Sequence, residues 1–369
     1  MSSSGKRKYL EFAALCGLAV LLLWWFGRKL DWAEVREAVS QADWLLLALA
    51  TAVICLAYLF RAFRWGALLA PLGPARLRDL FAATTIGFSA VFLLGRAGEV
   101  VRPVALPLRD PRIRPAASFV TIMVERIYDM IAVVLMFALN LLWFKPPSGV
   151  ALEFSRVRLA GIVLLVVAIA LLAGLTWFRR RSNVFLTWLR LRLEGFGFLP
   201  ARLRSAVLGI LEQLARALRV LVDARELAIT AGWTAMVWFG IGLANLLVIR
   251  AFGLPFGVRE TVFVLGWALV GSLVPTPGGA AGAFHAATAA GLIFLGVMRE
   301  TAAAIAIVMH IIDFGPAVIF GFFYFIRGDI NLKRLRSLTS PEAVEHAVED
   351  EAIVPEQLLV QSNAVTAAD

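Results

Sequence analysis

Cysteine and histidine are scarce, with two Cys and three His in 369 residues. Cys16 and Cys55 each lie inside an apolar run, without paired spacing or a nearby His, which excludes a disulfide scaffold and a Cys/His metal site. Charge is also thin: Asp, Glu, Lys and Arg make up 17% of the chain, against about 25% in a soluble domain. There is no phosphate-binding loop, no nucleotide fingerprint and no Ser-His-Asp arrangement at interpretable spacing, so no cofactor is expected. What the chain has in excess is apolar surface, 60% hydrophobic residues and a mean hydropathy of +0.82. Such runs are too long for one soluble core to hide, and they indicate an all-α, polytopic membrane protein.

At about 20 residues per crossing, six full spans are expected: Tyr9–Phe26, Trp44–Phe60, Ala117–Phe144, Leu159–Phe178, Leu227–Ile249 and Thr301–Ile326. Lys6-Arg7-Lys8 before the first run resembles a signal peptide, but Gly27-Arg28-Lys29-Leu30 offers no cleavage site, so this run reads as an uncleaved helix. Two further apolar regions are interrupted. Leu80–Leu108 is broken at Gly95-Arg96-Ala97-Gly98-Glu99, and Thr261–Val297 at Pro275-Thr276-Pro277-Gly278-Gly279. Pro and Gly oppose helix continuity, and non-helical backbone survives at membrane depth only where protein or a watery cavity covers it, so each region reads as a re-entrant or broken hairpin.

The net charge of +10 comes from 36 Lys and Arg against 26 Asp and Glu. With a cytoplasmic N-terminus and both hairpins returning to their own side, the cytoplasmic segments hold 26 Lys and Arg and the outer loops 9. This is the asymmetry of an inner-membrane protein with both termini inside, and it leaves no case for nucleic acid. The basic connection 179–226 has arginines among apolar residues at helical spacing, fitting helices at a lipid interface or a connector packed on the protein itself. The segment 328–369 is acidic and reads as a solvated tail after a transmembrane domain over 1–327.

Span, broken hairpin, span occurs twice, over 44–144 and 227–326, at an offset of about 180 residues. In the expected topology the two units are inverted, and interrupted helices at matching positions of inverted units are the sequence pointer to a transport site. The polar residues inside the apolar runs are the candidates for it. Glu125, Arg126 and Asp129 share one helix side near mid-membrane, either as a buried ion pair or as the lining of a substrate path. His310 and Asp313, three apart, read as a packing pair or as a proton-carrying pair, beside a kink at Pro316. Arg96, Glu99 and Arg102, with Gly98, place two cations and a carboxylate at the first break, where guanidinium forks suit phosphate. At the second break, Pro275, Pro277, Gly278 and Gly279 precede a helix start whose free amides favour an anion, with His285 close by.

Leu94-Gly95-Arg96-Ala97-Gly98-Glu99-Val100-Val101-Arg102-Pro103, Glu125-Arg126 with Asp129, and Pro275-Thr276-Pro277-Gly278-Gly279, in this order, resemble the transmembrane, flippase-like family of lysylphosphatidylglycerol synthases. The resemblance runs from about Leu10 to Arg327 and implies a protein that moves, or helps move, a polar lipid between leaflets. Two positions depart from the family pattern: Leu94 stands where many members have Pro, and His285 where many have Glu, which counts against a cationic headgroup at that position. The soluble aminoacyl-transfer domain of the full synthases does not follow Arg327, so lipid aminoacylation is not expected. The expectation is therefore translocation or handling of an anionic or phosphate-bearing lipid in the bacterial inner membrane. The alternatives are a membrane-embedded enzyme acting on a lipid-linked substrate, or an assembly factor for an envelope-biosynthesis enzyme. Membrane lipids are the expected partners, with a homo-oligomer as a further possibility.

Overall fold

A computed structural model describes residues 3–70, 74–113, 115–144 and 224–327, with seven helical positions between 159 and 170. Among the described residues every regular element is helical. In chain order these are α1 (Ser3–Gly27), α2 (Trp32–Ser40), α3 (Trp44–Leu69), α4 (Leu77–Leu94), a 3-10 segment (Gly95–Val100), α5 (Val101–Arg109), α6 (Pro115–Trp143), α7 (Ala224–Ala251), α8 (Val258–Gly271), a short turn (Pro277–Ala280), α9 (Ala283–Phe294) and α10 (Arg299–Ile326). The expected Leu159–Phe178 span is described only at the seven positions. The basic connection, apart from its last residues in α7, and the acidic tail lie outside the described residues.

Local chemistry sets several boundaries. The Asp31 carboxylate accepts from the Ala33 amide at 2.8 Å to start α2, and Asp43 accepts from Leu45 at 2.9 Å to start α3. The Gly257 amide donates to Glu260 at 2.8 Å at the start of α8.

Four helices are long and apolar enough to cross a membrane, α3, α4, residues 228–251 of α7, and α10; α1 and α2, bent by 84°, make a fifth if they count as one span. α6 has 29 residues, ample length for a crossing, and carries Glu125, Arg126 and Asp129 within its apolar run. Two details differ from the sequence expectation. The arm before the first break, α4, is itself 18 residues long and passes as a span. The span expected to end at Phe60 continues to Leu69, because Ala62, Trp65, Leu68 and Leu69 carry its buried face onward. That extension places Arg61 and Arg64 inside a helix rather than in a loop.

α3 packs along α7, α10 against α4 and α9, and α8 against α9. Small residues bring α3 and α7 close: a side chain on Gly240 would sit 3.3 Å from the Ala57 methyl. One apolar cluster joins α3, α7, α8, α9 and α10 through residues such as Ile54, Val248, Val264, Leu292 and Ile305. A second joins the end of α3 to α4, α5 and α6 through Trp65, Leu80, Leu106 and Ile122. Outward-facing Leu45, Met130, Phe239 and Ile319 are exposed, which is unfavourable against water and ordinary against lipid.

Candidate functional site

The charges inside the bundle fall into two groups. The first is a knot of four. Arg64 of α3, fully buried, reaches both oxygens of Asp129, Nη1 to Oδ1 at 2.6 Å and Nη2 to Oδ2 at 3.1 Å. Its Nη2 also lies 3.0 Å from Glu125 Oε1. Arg102 of α5 donates to both oxygens of Glu125, one of the contacts being 2.9 Å. Thr234 Oγ1 accepts from Arg64, and the Trp238 indole donates to Asp129 at 3.1 Å. The Arg102 guanidinium lies 4.5 Å over the Trp65 ring. Two cations and two carboxylates cancel, and both guanidiniums meet carboxylates through paired contacts, the geometry that compensates desolvation best. The knot ties α3, α5, α6 and α7 together, and its members are occupied with one another.

Arg126 takes no part in it. Glu125 and Asp129 turn inward while Arg126, half-buried, lines a cavity of about 250 Å³ with Glu99, Arg102, Phe119 and Met123. The expectation that the three residues of α6 act on one side therefore holds for Glu125 and Asp129 alone. Glu99 is exposed, and the Arg96 side chain lies outside the described set. Gly98 packs so tightly on the α4 backbone at Ala90 that any side chain would overlap the Ala90 carbonyl.

The two breaks meet. Gly95 has φ +64, and a Cβ there would stand 3.3 Å from the Thr276 carbonyl. Gly278, Gly279 and Ala280 follow with φ 78, 64 and 63, a left-handed run that glycine adopts freely and alanine does not. The helix beyond begins at Ala283 rather than directly after Gly279, and His285 accepts from the Gly282 amide through Nδ1 at 3.3 Å. Of the start expected to offer free amides to an anion, the Gly282 amide is thus taken by the chain's own imidazole. His310 Nε2 lies 3.1 Å from the Gly279 carbonyl, and the two imidazoles stand edge to face with centroids 4.6 Å apart. His310 consequently holds the break and not Asp313. Pro275 and Pro277 interrupt the backbone between α8 and α9, and the Pro275 carbonyl also faces Gly95, 3.5 Å from where a Cβ there would stand.

The second charge group is Arg61 and Asp313, and both line a cavity of about 130 Å³ with Tyr58, Phe88, Trp238, Ser272, Phe284 and Phe314. The cavity draws walls from α3, α4, α7, α8, α9 and α10, next to the meeting breaks. Arg61 lies 4.8 Å over the Phe88 ring and 5.9 Å over Tyr58, and it makes no ion pair among the described residues. The Asp313 carboxylate likewise has no hydrogen-bond partner among them, whereas its backbone carbonyl accepts from the Tyr58 hydroxyl at 2.9 Å and locks α3 to α10 at this level. Arg61 and Arg64 were both missed as site residues. The available signal was their spacing of three, followed by Trp65, Leu68 and Leu69, which continues a helix past Phe60.

Among the described residues no group of three His, Cys, Asp or Glu side chains is placed to hold a metal. Residues 12–321 match the protein family described as Lysylphosphatidylglycerol synthase TM region. No curated protein matches the chain.

Proposed function

The chain belongs to the lysylphosphatidylglycerol synthase TM region family, an integral membrane family related to lipid handling, and from that premise we propose that it carries the headgroup of a phosphate-bearing lipid between leaflets. The observation that supports this most is the central cavity: Arg61 and Asp313 line it without an ion pair among the described residues, beside two breaks in contact. An uncompensated charge at membrane depth costs about 2.5–3.5 kcal/mol on insertion scales. A bound headgroup offsets that cost where no side chain does. The knot of Arg64, Arg102, Glu125 and Asp129 is scaffolding in this reading, and the portal with Arg126 and Glu99 is where a headgroup first meets the protein.

The chain sits in the inner membrane with both termini cytoplasmic. Taking Arg61, Arg64 and Arg102 out of the cytoplasmic count leaves 23 Lys and Arg against 9 outside, still a strong bias. The test is leaflet exchange of acyl-labelled phospholipids in vesicles containing the purified protein. Exchange above that of protein-free vesicles, lost in Arg61→Gln at unchanged thermal midpoint, is the expected result. Wild-type vesicles that exchange no faster than empty ones overturn the reading.

A further inference from the structure

Taking the central cavity as the headgroup site proposed above, we infer that its substrate is a zwitterion, one molecule carrying a phosphate for Arg61 and an ammonium for Asp313. The argument rests on which charges the protein has left open. Arg64, three residues from Arg61 on the same helix, is surrounded by carboxylate and hydroxyl oxygens. Arg61 lies over Phe88 and Tyr58, two rings in edge contact with each other on one side of it, and makes no ion pair among the described residues. Phe88 and Tyr58 cover one side of it without accepting its hydrogen bonds, which leaves its N–H groups for a ligand, the fork that suits a phosphate. Asp313 contributes to the same cavity from α10 and faces Arg61 there, with no ion pair to its carboxylate among the described residues.

A purely anionic headgroup satisfies Arg61 and leaves Asp313 as an adverse charge. A purely cationic one does the reverse. A phosphate joined to a primary amine satisfies both and leaves the occupied cavity neutral. Trp238, Phe284 and Phe314 complete the wall with aromatic surface of the kind that accommodates an ammonium. Ser272 does not compete, because its hydroxyl is spent on the Ala268 carbonyl at 2.9 Å.

The experiment uses the full chain and lipids labelled on an acyl chain, so that headgroups remain native: phosphatidylethanolamine, phosphatidylglycerol and a trimethylammonium diacyl lipid. Two readouts run in parallel, leaflet exchange in vesicles and the thermal midpoint in detergent doped with each lipid, since a ligand of the folded state raises that midpoint. Phosphatidylethanolamine is expected to exchange about tenfold faster than either other lipid, the ratio that about 1.4 kcal/mol of selective binding produces, and to raise the midpoint most. Asp313→Asn is expected to bring phosphatidylethanolamine down to the level of phosphatidylglycerol, while Asp313→Glu keeps the preference and controls for folding. Equal handling of phosphatidylethanolamine and phosphatidylglycerol by the wild type overturns the zwitterion, even if exchange itself is fast. So does a preference that persists in Asp313→Asn. A selective midpoint shift without exchange supports the zwitterion and overturns transport. A shift from water-soluble glycerophosphoethanolamine that the intact lipid does not match overturns the lipid as its source.

Discussion

Arg61 and Arg64 lie on one helix, three residues apart, and have opposite fates. Arg64 is fully buried and every charge it needs is supplied from α6, so it binds the bundle together. Arg61 is stacked on Phe88 in a cavity and is offered no carboxylate within ion-pair distance. The same contrast separates the acids, with Glu125 and Asp129 held by arginines while Asp313 stands open. In a membrane protein, charge that is cancelled internally is part of the frame, and charge left open inside a cavity is there for something that enters it.

The largest effect that tests this contrast is expected in the knot. Glu125→Gln leaves Arg64 with Asp129 alone and takes from Arg102 the carboxylate it pairs with, and should destabilise the protein by about 3–5 kcal/mol, the usual cost of breaking a buried pair on one side. Thermal unfolding in detergent checks it, and a midpoint equal to wild type refutes the structural role of the knot. Arg61→Gln is the counterpart. It removes a cation that makes no ion pair among the described residues, so the midpoint should hold while lipid exchange falls; a collapse of stability equal to that of Glu125→Gln erases the distinction.

Next in size is Gly95→Ala. Its φ of +64 and the nearby Thr276 carbonyl both oppose a side chain, and a residue forced into such a conformation costs about 1–3 kcal/mol. Loss of exchange greater than the loss of stability would show that contact between the breaks matters to movement. The smallest effect lies outside the membrane, between α5 and α6, where Arg112 donates to Asp110 at 2.8 and 2.7 Å. These hydrogen bonds hold the Asp110 carboxyl below its usual range. A lowered folded-state value means stability that is present above the ordinary carboxylate range near 3.8 and lost as pH falls through the folded one. Asp110→Asn should therefore remove a small stabilisation at neutral pH and flatten the acid limb of the stability curve, leaving stability at strongly acid pH unchanged. Arg112 is largely exposed and solvent screens the pair, so a large change would contradict its surface character.

Much of this was legible from the residues alone. Apolar runs, the positions of both breaks and the inward charges of α6 all follow from local composition, because hydropathy and Pro/Gly content act over a few residues. The partners of those charges were not legible. Glu125 is 23 residues from Arg102 and Asp129 is 65 from Arg64, distances over which sequence spacing carries no contact information. Nor could spacing reveal the partner of His310: residues three apart on a helix can meet, but it is the Gly279 carbonyl from another element that lies 3.1 Å from its Nε2.

By itself the sequence determined that the chain is helical and membrane-embedded, and where its helices must break, since these depend on the transfer of each segment from water to lipid. Which charges are cancelled and which stay open was decided only by tertiary packing. Each guanidinium is equally costly to bury, and only the helix that arrives beside it decides whether a carboxylate is within reach.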